Sequence, residues 1–500
     1  MQRVNRAAHV WLYIAAGLYG LTFWYQPAHD PDLGWHLAGG AWIVQHHSVP
    51  LRDFVNSFNL SWHDYHWLAQ VCLFKIYVLG GNAALRAALG LVMASLCVVL
   101  IDIILSASPR RPVPSVVLAA FFGAITLIGH VTSIRPQMLS LLLVALAVRR
   151  LIQPPVGWEL PYLFALAVAL VNIHVYWAFI PFLWLVYRCA PRIVDRESVS
   201  AATAWGGLAV LGGAGLVSPY GAIPTNFTPP LLFMNYALLW DYLTMPAALK
   251  ATIGEFRGAL GSEGWTPWLI VLYFMLLART FRAHRCLAHL GEAISAVVFP
   301  LLAINSLKFV SIFAVAALPH FVREVSAWAR LGLRTAAQWE KRLAAAVVVM
   351  TIIGSAAHAA WYFPWTFNND EYLYAMQPIA ACRHVATLGL TPRAPRDHIR
   401  VLTHFNHGGW CRWALYQARP DLDFRVTTDG RTQWVPAQHF LDGYDVLNVK
   451  NDWLATLTRW DPDVLVIPKT HALGNVLSMD QSRFAMTFED DNFRVFVARR

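Results

Sequence analysis

The sequence predicts an α-helical polytopic membrane protein with a soluble α/β domain at its C-terminal end, and three observations predict it. The chain is too apolar for a globular protein of its length: 57% of its 500 residues are hydrophobic and 14% charged, against roughly 25% charged in soluble domains. Its arginines cluster in short loops between apolar runs, as the positive-inside rule requires. After Tyr362 the composition turns to that of a soluble domain of about 135 residues, long enough for a core of its own. The 22 Trp and 17 Tyr suit aromatic belts at two membrane surfaces. A net charge of +10 would suggest nucleic acid in a soluble chain, but no basic stripe interleaved with aromatics is present, so no nucleic-acid partner is expected.

Taken in order, Arg3 and Arg6 precede an apolar run over 8–25 that lacks a small-residue cleavage site. This reads as a retained first span with a cytoplasmic N-terminus. Residues 26–82 then form a first outer loop. Two helical runs within it, 33–46 and 66–79, are too short or too polar to cross and read as amphipathic helices lying in the membrane interface. Gly80-Gly81-Asn82 breaks the second. The run 83–107 ends in Ser108-Pro109-Arg110-Arg111-Pro112, which is cytoplasmic only if 66–79 does not cross.

Arg149-Arg150, then Arg188, Arg192 and Arg196, then Arg279, Arg282 and Arg285, and finally Arg323 to Arg342 fall on that same side if the further spans are 114–131, 136–149, 159–176, 177–190, 200–217, 266–281, 288–304, 308–322 and 342–362. The count is about eleven, several of them short of the roughly 20 residues a perpendicular helix needs. A second outer loop, 218–264, mixes prolines with apolar pieces that read as interfacial or re-entrant, and carries Tyr220. Residues 1–362 are thus the transmembrane domain and 363–500 an extracytoplasmic, periplasmic domain, with the chain in the inner membrane.

In the C-terminal domain, strand-like runs at 399–403, 424–428, 464–468 and 493–497 alternate with helix-like runs at 371–388 and 452–459. Glu489 to Asn492 reads as a hairpin turn, and the glycines of His404-Phe405-Asn406-His407-Gly408-Gly409-Trp410 read as turn residues. Cys382 and Cys411 can form one disulfide if this domain is outside the cytoplasm; Cys72, Cys97, Cys189 and Cys286 read as small core residues.

Chemistry is expected on the outer face, centred on Asp30-Pro31-Asp32-Leu33-Gly34-Trp35-His36. Ionisable groups at a membrane rim are costly unless used. Carboxylates there can activate a hydroxyl as a general base or hold a divalent cation, Mg or Mn. Asp32 is the first choice for the base, Asp30 for a supporting or metal-binding role, and His36, one turn later, for positioning. The competing reading is that the two aspartates cap the helix that follows. Asp53, His63, Asp64 and His66 lie in the same loop; their spacing matches no zinc pattern and suits a hydrogen-bonding cluster better. Arg86, Arg135, His174 and Lys308 stand at the outer ends of apolar runs, where cations can bind a phosphate or simply snorkel to the headgroups. Asp429 and Arg431 of the C-terminal domain are further candidates, for contact with an acceptor.

This order of parts resembles the GT-C superfamily of membrane glycosyltransferases. The motifs that carry the resemblance are the Asp30 to His36 run, Asp53-Phe54, Leu85-Arg86, Ile134-Arg135-Pro136, Asn172-Ile173-His174, Ser218-Pro219-Tyr220 and Thr428-Asp429-Gly430-Arg431, and they look most like a bacterial GT-C-like family that is largely uncharacterised. The resemblance implies a sugar donor carried on polyprenyl phosphate, with Asp32 or Asp30 as catalytic base or metal ligand. It implies a donor-phosphate role for Arg86, Arg135 or Lys308, and a glycan, lipid or protein acceptor. The Asp-Glu pair typical of protein mannosyltransferases is absent, as is the Lys-Pro-Pro run of the aminoarabinose enzymes. Two readings without chemistry compete: a lipid-linked glycan transporter or flippase, which should show two related halves, and a scaffold whose outer domain binds an envelope partner.

Overall fold

The computed structural model describes residues 9–28, 30–58, 62–108, 114–129, 132–194, 199–220, 234–244, 253–261, 266–282, 290–332, 373, 375–431 and 435–499. The expected span 342–362 lies outside them, as does most of 218–264. The chain divides into two compact units.

The first unit, 1–24, 87–132 and 136–361, is helical. It contains α1 (Val10–Leu21), the second half of α3 (Trp67–Ala107), α4 (Pro114–Ile128), α5 (Pro136–Leu151), α6 (Glu159–Val171), α7 (Phe179–Trp184) with α8 (Ala190–Val194) across a π turn, and α9 (Ala201–Gly213). After these come α10 (Met234–Leu243), α11 (Thr266–Arg282), α12 (Leu290–Asn305), α13 (Val310–Ala316) and α14 (Leu318–Gly332). Every residue of α13 is buried, as expected for a helix apolar on all sides, and it packs against α4, α5 and α12. Among the described residues one helix, α3, is long and apolar enough to cross a membrane; Leu307–Ala316 with Leu318–Ala327, bent by 55°, makes a second if counted as one span. The larger span count rests on the sequence.

Four of the arginines assigned to cytoplasmic loops are ion-paired. Arg188 and Arg150 share Glu159 at 2.6 and 2.9 Å, Arg323 meets Glu292 at 2.7 Å, and Arg149 pairs with Asp102. Asp102 also accepts a 2.8 Å hydrogen bond from Tyr13 of α1, so the start of α1 and the ends of α3 and α5 lie together. A Cβ on Gly207 would lie 2.5 Å from the Trp184 ring, so the glycine lets α9 pack closely there.

The second unit joins 25–86 and 133–135 to 362–500. Residues 26–82, assigned from the sequence to the transmembrane part, thus pack with the C-terminal chain. The predicted break of the second loop helix is present: α3 is interrupted at Gly80 (φ −168°, ψ 29°) and Gly81 (φ 58°, ψ −148°), the latter a conformation that only glycine takes readily. The first loop helix, α2 (Leu33–His46), differs from expectation. Ten of its residues from Leu33 to Ile43 are buried, so it is a core helix of this unit rather than one with a solvent face.

The C-terminal chain forms a mixed sheet, β2 (Phe424–Val426), β1 (Ile399–Thr403), β3 (Val464–Pro468), β5 (Phe493–Ala498) and β4 (Phe484–Glu489) in spatial order. β1 runs parallel to β2 and β3, and β5 antiparallel to β3 and β4. The expected strands and the turn before β5 are present; β4 was not anticipated. Helices α15 (Ile379–Thr387), α16 (Phe405–Ala418), α17 (Ala437–Asn448), α18 (Trp453–Trp460) and α19 (Ala472–Met479) complete it. Leu402, Leu465, Ile467 and Phe496 of the sheet bury against Val446, Leu457, Trp460, Leu473 and Leu477. Cys382 of α15 and Cys411 of α16 form a buried disulfide. Loop residues 55–57 extend the sheet edge: Val426 N donates to Val55 O at 2.9 Å and Ser57 N to Val426 O at 2.9 Å.

Candidate functional site

The Asp30 to His36 motif enters α2 through a tight turn. Asp30 Oδ1 accepts from Asp32 N at 2.8 Å, and Leu33 N donates to Asp30 O at 3.2 Å. Asp32 is itself helical (φ −85°, ψ −19°) and its side chain makes no capping bond. Asp30 thus closes the turn ahead of α2, and Asp32 stands at the N-cap position without a side-chain capping bond. Arg135 spans both acids, with Nε 2.5 Å from Asp30 Oδ2 and Nη1 3.4 Å from Asp32 Oδ2. Asp32's side chain is 20% exposed and Asp30's 4%, so Asp32 is the carboxylate that faces outward. As placed, Arg135 serves the acid pair rather than standing free for a donor phosphate.

The C-terminal chain holds this turn in place. Trp410 Nε1 donates to Asp30 O at 2.7 Å. A Cβ on Gly34 would lie 2.4 Å from Trp410 N, and one on Gly408 2.1 Å from Thr428 O. The His404 to Trp410 glycines are thus helical residues of α16 that admit α2 and the 428–430 segment at backbone distance, a correction to their reading as turns. That a glycine pair followed by Trp recurs beside a second Gly-Trp, at Gly34-Trp35, was the available signal.

Asp53, Asp429 and Arg431 form a buried ion network. Arg431 meets both Asp53 oxygens at 2.9 Å and Asp429 at 2.7 and 2.8 Å, and its guanidinium lies 4.3 Å from the Trp62 ring centre. Asp53 also accepts from Val55 N and Asn56 N at 2.8 and 3.0 Å. The three side chains are 1–2% exposed, so Asp429 and Arg431, expected to contact an acceptor, instead join the first loop to the C-terminal chain through Asp53. The two carboxylates hold the guanidinium well above its ordinary pKa against the opposing effect of burial.

His36, His63, Asp64 and His66 are also buried, in an aromatic cluster. The His36 ring lies 3.7 Å from that of Trp35 and 5.2 Å from that of His66. Asp64 accepts from Gln70 Nε2 at 2.8 Å and His66 N at 3.2 Å. Burial pushes its carboxyl up from 3.8 to about 7, with nearby Asp53 adding to the rise and Arg431, Trp62 and the His66 amide opposing it. Among the described residues no group of three His, Cys, Asp or Glu side chains is arranged to hold a metal ion. Arg86, just past the α3 break, is buried.

The remaining candidates lie in the helical unit. The His174 ring is 4.3 Å from that of Tyr176, whose hydroxyl accepts from Gln137 Nε2 at 2.6 Å and donates to Lys308 O at 3.0 Å. Lys308 Nζ stands 3.9 Å from Glu255 and 5.2 Å from the Phe256 ring centre. Asn172 donates to Val217 O at 2.9 Å beside buried Tyr220. The motifs at 172–174 and 218–220 and Lys308 thus belong to one polar region of that unit. Sequence reasoning missed Gln137 and Tyr176 there, and Trp62, Gln70 and Trp410 around the acids.

No family model and no curated protein matches this chain in sequence. Among solved structures, the apo oligosaccharyltransferase of Archaeoglobus fulgidus aligns with 93% of the chain and 70% of its own length, at TM-score 0.57 and 10% identity. ArnT of Cupriavidus metallidurans, bound to undecaprenyl phosphate, aligns over 98% of both chains at TM-score 0.51 and 15% identity. At such identities the likeness speaks to architecture alone: the chain has the GT-C fold that these neighbours share.

Proposed function

We propose that the protein is an inverting membrane glycosyltransferase that moves a sugar from a polyprenyl-phosphate donor to an acceptor on the outer face of the inner membrane, with the C-terminal domain on that face. The observation that carries this reading is the Asp30–Arg135–Asp32 arrangement, in which one acid is anchored on both oxygens and the other is turned outward. In this reading Asp32 takes or orients the proton of an acceptor hydroxyl, whose oxygen attacks the anomeric carbon while the lipid phosphate leaves. Asp30 and Arg135 fix the position of Asp32, and Arg86 or Lys308 is the cation proposed for the departing phosphate. His36, its ring tilted against that of Trp35 at 3.7 Å, is the residue proposed to position the start of α2. The bound lipid phosphate of the ArnT neighbour supports the donor class. A divalent cation on Asp30 and Asp32 would have to displace Arg135.

The test is transfer from a panel of radiolabelled polyprenyl-phosphate sugars in membranes holding the Asp32→Asn or Asp30→Asn protein. Asp32→Asn should lower transfer by about 100-fold or more, the ordinary effect of a lost general base. Full transfer by both variants, inserted at wild-type levels, ends the proposal.

A further inference from the structure

Gly430 is the point at which the C-terminal chain meets the outward-facing acid. A Cβ built there would lie 2.1 Å from Asp32 Oδ1 and 3.7 Å from Trp35 Nε1, with no backbone atom among these nearest contacts. The glycines around it differ in kind. At Gly34 the obstruction is the Trp410 and Gly409 backbone, and at Gly408 it is the Thr428 carbonyl. Those positions are glycine so that the elements can pack. At Gly430 the obstruction is the end of one carboxylate.

The position of Gly430 is itself fixed on either side. Asp429 and Arg431 are buried in the network with Asp53, and Thr428 Oγ1 donates to Thr403 O at 2.7 Å. A rigid segment therefore presents its one residue without a side chain to Asp32. On the other side Arg135 Nη1 lies 3.4 Å from Asp32 Oδ2.

We propose that Gly430 is a positioning residue for the transfer reaction: the empty volume at its Cα defines where the Asp32 carboxylate rests, and filling it moves that carboxylate off the acceptor hydroxyl. This rests on the reading of Asp32 as the base. It assigns the Thr428 to Arg431 motif a role in setting catalytic geometry through Asp32, rather than in touching substrate.

The experiment compares Gly430→Ala, Asp32→Ala and the double variant by kcat and KM for donor, and by thermal unfolding in detergent. A displacement of about 1 Å at a reacting group costs on the order of 100-fold. Gly430→Ala should therefore lower kcat between about 10- and 100-fold with donor KM unchanged. In the double variant the methyl has no carboxylate to displace, so the activity should equal that of Asp32→Ala alone. If Gly430→Ala also lowers the unfolding temperature, Asp32→Ala must restore it, because the same clash is relieved. Losses that multiply, or a stability defect that Asp32→Ala leaves in place, show a purely structural glycine and overturn the inference. Wild-type kcat in Gly430→Ala beside an inactive Asp32→Ala overturns it while sparing Asp32 as base. Full activity in Asp32→Ala removes both.

Discussion

Asp64 and Arg431 are neighbours in the same buried region and respond to burial in opposite ways. Arg431 meets two carboxylates, and removing it strands both. Arg431→Met should cost about 3–5 kcal/mol, read from denaturant unfolding, because an uncompensated buried charge is worse than none. Asp64 is held largely by neutral donors, and burial raises its carboxyl to about 7. The folded state therefore keeps a proton that the unfolded chain releases from 3.8 upward. Its contribution to stability is complete below 3.8 and is lost as pH rises to about 7, at about 1.4 kcal/mol per pH unit. Asp64→Asn, which can keep the bonds from Gln70 and His66, should flatten that slope in melting curves taken from pH 4 to 8. His404 and His407 act in the other direction: burial lowers them to about 3 and about 4, so their stabilisation falls away as pH drops below 6.5. The Asp30 to His36 motif was legible as the polar centre because charges beside an apolar run are rare. Which acid closes the turn and which faces out was not legible, since Arg135, 105 residues from Asp30 in sequence, spans both.

At the scale of elements, local pattern found the parts whose own sequence enforces them. The double glycine announced the break in α3, β3 is a run of five buried apolar residues, and Glu489 to Asn492 turns between β4 and β5. Reading failed where packing overrides local preference. Residues Gly408 and Gly409 disfavour helix in isolation, yet they are helical where the 428–430 segment and the start of α2, respectively, leave room only for hydrogen. Likewise the α2 sequence reads as an amphipathic helix of the membrane interface, although Gly39 and Gly40 admit Gln70 and the α3 backbone on a second face. The Cys382–Cys411 bond ties α15 to α16 across 29 residues. Its removal by Cys382→Ser with Cys411→Ser should lower stability by about 2–4 kcal/mol, measured by unfolding under non-reducing conditions. Transfer activity should fall with it, because α16 carries Trp410 and the glycines that seat the Asp30 turn.

At the scale of the whole molecule, the topology assignment rests on charge pattern and is tested by a reporter active only outside the cytoplasm, fused after Arg500. Activity is expected; silence would reverse the outer assignment of the C-terminal domain. The contact between Tyr13 and Asp102 agrees with an antiparallel return of the chain from α1 to α3.

The pairing of residues 55–57 with Val426 has a consequence for the order in which the protein can be made. Asn56 bonds to the Thr427 carbonyl across 371 residues of sequence. At 5–20 residues per second, roughly 20–70 seconds separate the synthesis of the two. For that interval the first loop has neither its sheet edge nor its arginine, and Asp53 waits exposed for Arg431. The C-terminal strands, when they arrive, complete a unit begun long before. Residues 375–499 expressed alone should therefore aggregate through the bare β2 edge, and co-expression with 25–86 should keep them soluble.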